Sequence, residues 1–413
     1  MDEILEPPFN INETSEFLKN KLVDILVEKK IIQNKKIESA FRKVNRHFFV
    51  HNADLEDIYG DYSIITKEIG NEPISSSTAP SLMATMLEQL SLEKGLKVLE
   101  IGTGVGYNAA LLSEIVENER NVFTVDIDVE TINEAKQSLI NAGYKNINIK
   151  CSDGIEGLPE DSPFDRIIVT CAVRDISKAW IEQLKNNGVI VLPIWINGTQ
   201  ITPAFKKQDN ILVGLSTSLG GFMSMRRKSY HEILQESPPK NKNLLICSEH
   251  SEFLKEDKIN SLLREKYHES KNPLNGFSFS QRYNFFIFLA LHEKNSIELF
   301  VENKGSVLEY GFGEQAMGIL DLENKTACLN SKNNKLITYG NEQAYQKMLF
   351  LIKKWENLNR PSVNELQVKG YLSDQDIPPL EKHEILVGLI PESNATILAQ
   401  NVKNVKLDSY EKI

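Results

Sequence analysis

Cysteine is scarce in this chain: four in 413 residues, at Cys151, Cys171, Cys247 and Cys328, with no Cys-x-x-Cys pair. Scattered thiols at this density argue against a disulfide framework and for a reducing compartment. Without close ligand pairs there is no structural zinc pattern, and no metal is expected. Long apolar runs are missing too: no stretch of about 18 uninterrupted apolar residues occurs, so no membrane span is expected. The N-terminus, MDEILEPPFNINETSEF, lacks the basic-then-apolar pattern of a signal peptide, which makes a cytoplasmic location the default. Basic charge is in deficit, with 47 Lys and Arg against 57 Asp and Glu, a net charge of −10 and a pI near 5.4. A nucleic-acid binder carries a basic footprint, whereas here only local clusters such as Arg226-Arg227-Lys228 occur, read as a solvated turn. No nucleic acid is therefore expected as partner. Neither an internal repeat nor a low-complexity tract is found. What remains, 41% hydrophobic and 25% charged, is ordinary globular composition, and the length predicts two domains.

The periodicity predicts helices through residues 13–56, with Asn12, Glu13 and Thr14 offering capping atoms and a second helix from Lys36. Tyr59 to Pro80 is polar and turn-rich. From residue 81 helices and strands alternate: Leu82–Leu92, Asn108–Val116, Val129–Ala142 and Ser177–Lys185 read as helices. Between them Lys97–Ile101, Asn121–Asp126, Asn146–Lys150, Arg166–Thr170 and Val189–Pro193 read as strands. That alternation predicts an α/β, Rossmann-like, mostly parallel sheet, with N-terminal helices before it and a mixed α/β domain after it. Residues 1–80 are read as part of the catalytic domain, 81–230 as cofactor-binding, 231–243 as linker and 244–413 as an accessory domain. Gly221–Met225 is expected as a strand, and so is the apolar run Phe285–Leu291. Glu342–Leu358 is expected as an amphipathic helix serving a core or a dimer interface.

Between the first predicted strand and its helix stands Glu100-Ile101-Gly102-Thr103-Gly104-Val105-Gly106-Tyr107. Glycines there let the backbone turn sharply and approach a ligand closely. Tyr107 replaces the glycine of a dinucleotide fingerprint, and Glu100 sits badly with an anionic pyrophosphate. Glu100 suits a sulfonium cofactor carrying a cationic methionyl ammonium, namely S-adenosyl-L-methionine. Asp126, followed by Ile127, closes the second strand, where a carboxylate accepts ribose hydroxyls. Asp153-Gly154 follows the third strand, where an acid can accept from an adenine amino group. Glycine loop and acids in this order form a strong joint signal for a methyltransferase. No Asn/Asp-Pro-Pro-Tyr run follows the fourth strand, so the residues of amino-methylating enzymes of DNA bases are missing.

Several segments in order carry a resemblance. These are Arg42-Lys43-Val44-Asn45-Arg46-His47-Phe48-Phe49, Tyr59-Gly60-Asp61, Ser76-Ser77-Thr78-Ala79-Pro80, the glycine loop, Ser152-Asp153-Gly154, Pro163-Phe164-Asp165-Arg166-Ile167 and Leu184-Lys185-Asn186-Asn187-Gly188. Together they resemble the protein-L-isoaspartate O-methyltransferase family over about residues 15–226. The resemblance implies methylation of a side-chain carboxylate in a peptide or protein, with Thr78 in place of the family's active-site serine and Ser76 matching its threonine. Ser77, Pro80 and His47 would line the acceptor side, and Glu100, Gly102, Thr103, Gly104, Gly106, Tyr107, Asp126, Ile127, Asp153 and Gly154 the cofactor side. A carboxylate with a pKa of about 4 is already ionised at neutral pH, so alignment and exclusion of water, not a general base, are the task.

The departures bear on the acceptor. Ser-Ser-Thr replaces the family's Thr-Ile-Ser, and the C-terminal half has no counterpart in the shorter repair enzymes. In this the chain resembles longer bacterial relatives associated with ribosomally synthesised peptides of the lanthipeptide and graspetide type. That branch implies esterification of an ordinary aspartate in a precursor peptide, leading to succinimide and isoaspartate. The alternatives are repair of isoaspartyl proteins and a cofactor-binding, peptide-docking subunit without catalysis.

Overall fold

The computed structural model describes residues 11–69, 72–209, 211–226, 244–247, 256–301, 312–331, 333–372, 384–387 and 395–400. Two compact units interleave along the sequence. The first comprises Met1–Cys171, Ala179–Leu192 and Phe222–Pro238; the second comprises Ala172–Lys178, Pro193–Gly221 and Pro239–Ile413. The expected linker, 231–243, lies outside the described residues.

In the first unit, helices α1 (Ile11–Glu28), α2 (Lys35–Lys43) and α3 (Leu55–Ile58) precede a hairpin of β1 (Ile64–Ile69) and β2 (Glu72–Ser77). Helix α4 (Pro80–Leu90) then leads into β3 (Val98–Ile101), α5 (Tyr107–Val116), β4 (Val122–Asp126), α6 (Val129–Asn141), β5 (Asn148–Cys151), β6 (Phe164–Val169), α7 (Lys178–Gln183) and β7 (Leu184–Val191). The strands pair in the order β7-β6-β3-β4-β5, all parallel. Val98, Leu99, Glu100 and Ile101 of β3 are all buried, as a central strand covered on both faces requires. Crossovers in a parallel sheet bring successive strand ends to one edge, so the loops after β3, β4, β5 and β6 share the C-terminal edge. Helix α4 packs on β6 and β7, α5 and α6 pack on β4, and α2 packs on α5.

The second unit is antiparallel. One of its sheets pairs Ile194–Ile196, Thr199–Gln208, Ile211–Leu219, Gln367–Leu372, Ala395–Gln400 and Glu384–Val387 in that order. The other has six strands, in the order Leu244–Cys247, Ser296–Val301, Gln315–Asp321, Thr326–Asn330, Lys335–Gly340 and Tyr267–Lys271. One core cluster of this sheet holds Leu263, Leu299 and Tyr339 beside the helix Glu256–Leu263. A second gathers Phe285, Leu289, Met348 and Trp355 from the helices Phe279–His292 and Gln343–Asn357. The apolar stripe of the latter helix is thus spent on the core of its own unit.

Two expectations need correction. Phe285–Leu291 is helical, inside Phe279–His292. A short apolar run fits a buried strand or a buried helix equally, and the deciding signal is upstream: Ser278 and Gln281 form a reciprocal capping box. Gly221–Met225 is not a strand; it is irregular apart from a single bridge at Ser224. No helix among the described residues is long and apolar enough to cross a membrane.

Candidate active site

Three glycines turn the chain at the end of β3. Gly102, Gly104 and Gly106 all have positive φ, at 100°, 49° and 88°. At Gly102 a Cβ would also stand 2.5 Å from Thr170 Oγ1, so that position excludes any side chain twice over. Thr170, at the end of β6, donates its hydroxyl to Ile101 O and Gly102 O at 3.0 and 2.7 Å, locking the loop to the neighbouring strand.

Asp126, at the tip of β4, accepts from Gly104 N through Oδ2 at 3.0 Å and from Ile127 N through Oδ1 at 2.8 Å. Burial raises its pKa, against the lowering by these backbone donors. Glu100 is fully buried beneath the loop, its oxygens accepting from Asn108 Nδ2 at 2.7 Å and Thr124 Oγ1 at 2.6 Å. Burial pushes it up to about 7 despite those donors. Thr103 is buried and shares a hydrogen bond with Thr124. Asp153 caps the short turn Gly154–Glu156 through Ile155 N, and Trp180 Nε1 donates to Gly154 O at 2.8 Å. The Tyr107 ring is buried against Phe41 and Phe49. A backbone cradle of left-handed glycines with carboxylates at the next strand ends fits a nucleoside whose ribose hydroxyls donate.

The hydroxyl-rich strand lies along this loop: a Cβ on Gly104 would come within 3.8 Å of Ser76 O and 3.9 Å of Ser75 Oγ. It does not cap the helix that follows. Ala79 is the N-cap of α4 and gives no side-chain hydrogen bond; Pro80 is the first helical residue, and Ser63 Oγ and Asp61 Oδ1 accept from Ala79 N and Ser81 N. Ser76 and Thr78 are half-buried, and neither hydroxyl carries a hydrogen bond among the described residues. Ser77 is buried, its hydroxyl accepting from Arg46 Nε and Nη2 at 3.2 and 3.0 Å. His47 Nδ1 bonds the Tyr59 hydroxyl at 2.8 Å, and burial, with Lys19 and His51 nearby, lowers its pKa.

The sequence reading passed over Arg46, Lys67 and Thr170. Arg46 also reaches Ile58 O, Gly60 O and Thr78 O, so one buried guanidinium stitches three of the segments that carried the family resemblance. Its place inside the motif was the available signal. Lys67 of β1 bridges to Asp128 at 3.0 Å and Glu130 at 2.8 Å, clasping the hairpin to the start of α6. Only the Asp128 contact is shielded from water, both partners being largely buried. Replacing Lys67 by methionine is expected to lower kcat/KM for the acceptor about tenfold, with Lys67→Arg recovering most of it. Steady-state kinetics check this; an unchanged kcat/KM for Lys67→Met would contradict it.

The fold and the loop define a Rossmann-like S-adenosylmethionine-dependent methyltransferase. A family model for protein-L-isoaspartate(D-aspartate) O-methyltransferase matches residues 17–220. The protein-L-isoaspartate O-methyltransferase of Thermotoga maritima is 35% identical over 227 residues, 52% of this chain and 70% of that one. Its namesake from Fervidobacterium nodosum is 39% identical over 180 residues, 44% of this chain and 88% of that one. A solved structure of the same description aligns with a TM-score of 0.49 at 24% identity, covering 85% of this chain and 96% of the other. The chain belongs to the protein-L-isoaspartate O-methyltransferase family, whose chemistry is S-adenosylmethionine-dependent carboxyl O-methylation of peptide and protein substrates.

Proposed function

We propose that the chain esterifies the side-chain carboxylate of an aspartate in a ribosomally made precursor peptide, the ester then being open to attack by the following backbone nitrogen. Bound S-adenosylmethionine supplies an electrophilic methyl group. The protein's part is placement. Gly102, Gly104, Gly106 and Asp126 would hold the nucleoside, with Glu100 and Thr103 beneath the loop and Ile127, Asp153 and Gly154 beside it. Ser76 and Thr78 would hold the acceptor carboxylate against the loop, and a carboxylate needs no general base to attack.

The observation that carries the precursor reading is the second unit. Beyond residue 220 the chain builds a further, six-stranded sheet with its own buried core. The six-stranded sheet ends on the strand Tyr267–Lys271, with four of its five residues exposed and no further strand beyond it among the described residues. Such an edge accepts an extended peptide by strand addition. A repair reading, with isoaspartate as the acceptor, is favoured by the shared name of the curated relatives. Association of two copies through the C-terminal part is a further element of the proposal. A panel of one aspartyl precursor peptide and one generic isoaspartyl peptide, assayed by mass spectrometry, tests it. Methylation of the precursor is expected; methylation of the isoaspartyl peptide alone overturns it in favour of repair.

Glu100 supplies a pH test. A cation bound beside a carboxylate raised to about 7 lowers that pKa in the complex, so the proton is released on binding. Cofactor affinity is therefore expected to rise with pH through about 7, with proton release measurable by calorimetry in buffers of different ionisation enthalpy. Glu100→Gln should abolish the release; equal release in both proteins would remove Glu100 from this role.

A further inference from the structure

One member of the basic cluster in the segment after Phe222 is not a solvated side chain. Arg226 is half-buried, and its Nη2 donates to Ile74 O at 2.7 Å. Ile74 precedes Ser76 by two residues on the same strand, about 6.5 Å in extended backbone. The residue before the arginine fixes the other end of the crossing: Met225 Cε lies 3.0 Å from where a Cβ on Gly154 would stand. The stretch Met225-Arg226 therefore runs from the loop after β5 to the strand carrying the acceptor hydroxyls. The positive charge of Arg226 also acts on two groups at the strand ends, holding down the pKa of both Asp126 and Cys171 against their burial.

We propose that Arg226 is the acceptor-binding cation of this enzyme, recruiting the peptide carboxylate and orienting it beside Ser76 and Thr78. This rests on the reading of the site as a carboxyl O-methyltransferase, and holds for an aspartyl or an isoaspartyl acceptor. Charge alone fits either carboxylate, the acceptor's or the cofactor's methionyl group, and the hydrogen bond to Ile74 O, two residues before Ser76, assigns Arg226 to the acceptor. A guanidinium attracts a carboxylate, and binds it through directional, charge-assisted hydrogen bonds. The same guanidinium repels a sulfonium, so it gains nothing from the donor's reacting centre. In a chain of net charge −10, an anionic acceptor also needs a local cation to enter the cleft.

The reaction removes the charge that Arg226 would bind. A carboxylate oxygen forms the new bond to the methyl carbon, the sulfur–methyl bond breaks with its electron pair returning to sulfur, and no proton moves. The acceptor goes from anion to neutral ester. The acceptor's charge is only partly lost at the transition state, so Arg226 holds the ground state and the transition state nearly alike and releases the neutral ester, and its removal acts on KM rather than on kcat.

The test uses the full-length protein and whichever peptide the wild type methylates. Arg226→Gln is expected to raise the acceptor KM about ten- to a hundredfold, with kcat within about twofold and S-adenosylhomocysteine affinity unchanged by calorimetry. Arg226→Lys should fall between the two. A binding comparison independent of turnover pairs an aspartyl peptide with its asparaginyl counterpart. The wild type should prefer the aspartyl form, and Arg226→Gln should bind the two equally. Loss of S-adenosylhomocysteine affinity with an unchanged acceptor KM would assign Arg226 to the cofactor and overturn the proposal. So would an undiminished preference for the aspartyl peptide in Arg226→Gln. Failure of the wild type to methylate either peptide would instead sink the acceptor reading, and the aspartyl–asparaginyl comparison would still decide the role of Arg226.

Discussion

Replacing Asp126 by alanine is expected to weaken S-adenosylmethionine binding about a hundredfold or more. Asp126 has two tasks. Its Oδ2 takes the amide of Gly104 and its Oδ1 the amide of Ile127, so it shapes the glycine loop from within. At the tip of β4 it also stands where the ribose hydroxyls of a nucleoside would donate to it. A hydrogen bond to a charged group contributes about 1.5–3 kcal/mol, so losing two ribose contacts exceeds the roughly 2.7 kcal/mol of a hundredfold change. Calorimetric titration with S-adenosylhomocysteine measures it directly. Asp126→Asn, which keeps an acceptor oxygen, should lose less. An affinity within threefold of wild type for Asp126→Ala would mean that the nucleoside is held elsewhere.

Replacing Arg46 by methionine is expected to be the most destabilising single change in the first unit. The side chain is fully buried, and the structure records only neutral acceptors for it: Ile58 O, Gly60 O, Ser77 O and Oγ, and Thr78 O, with a longer contact to Tyr62 O. Burial lowers its pKa, and the recorded charges nearby offset this only in part. Methionine fills the volume yet strips the donors from several buried oxygens, each costing about 1–3 kcal/mol when left unpaired. A loss of about 3–5 kcal/mol is expected, seen as a fall of roughly 6–15 °C in the first thermal transition. Acceptor turnover should fall with it, because the turn at Ile58–Gly60 and the strand end at Ser77–Thr78 lose their common anchor. A melting temperature within about 2 °C of wild type would show that the turn is held by other contacts.

The cofactor half was legible in the sequence because its chemistry is local. A parallel strand buried on both faces reads as Val98-Leu99-Glu100-Ile101, a loop that needs left-handed backbone reads as glycine, and a carboxylate at a strand tip reads as Asp126. The acceptor half was legible only as motifs. What ties the turn at Ile58–Gly60 to Ser77 and Thr78 is Arg46, whose partners lie 12 to 32 residues away, and no periodicity reports such a contact. The hairpin at Ile64–Ser77 went unseen because its strands lack a period-two alternation, with Ile64 and Ile65 side by side and Ser75-Ser76-Ser77 uniformly polar. The Phe285–Leu291 run misled because hydrophobicity alone does not distinguish a buried helix from a buried strand, although Ser278 and Gln281 upstream carried the answer. Arg226 was read as surface because the sequence does not say that Ile74 O lies across from it.

The measurement that bears most directly on the central claim is mass spectrometry of peptide acceptors incubated with the full-length protein and S-adenosylmethionine, with fragmentation to place the modification. The expected result is the gain of one methyl group on an aspartyl carboxylate of a precursor peptide, or loss of water at that residue after cyclisation. The gain should be abolished when the residue is asparagine and strongly reduced in Asp126→Ala. Methylation of the isoaspartyl peptide alone, methylation at nitrogen, or methylation at no carboxylate in either peptide would contradict the account.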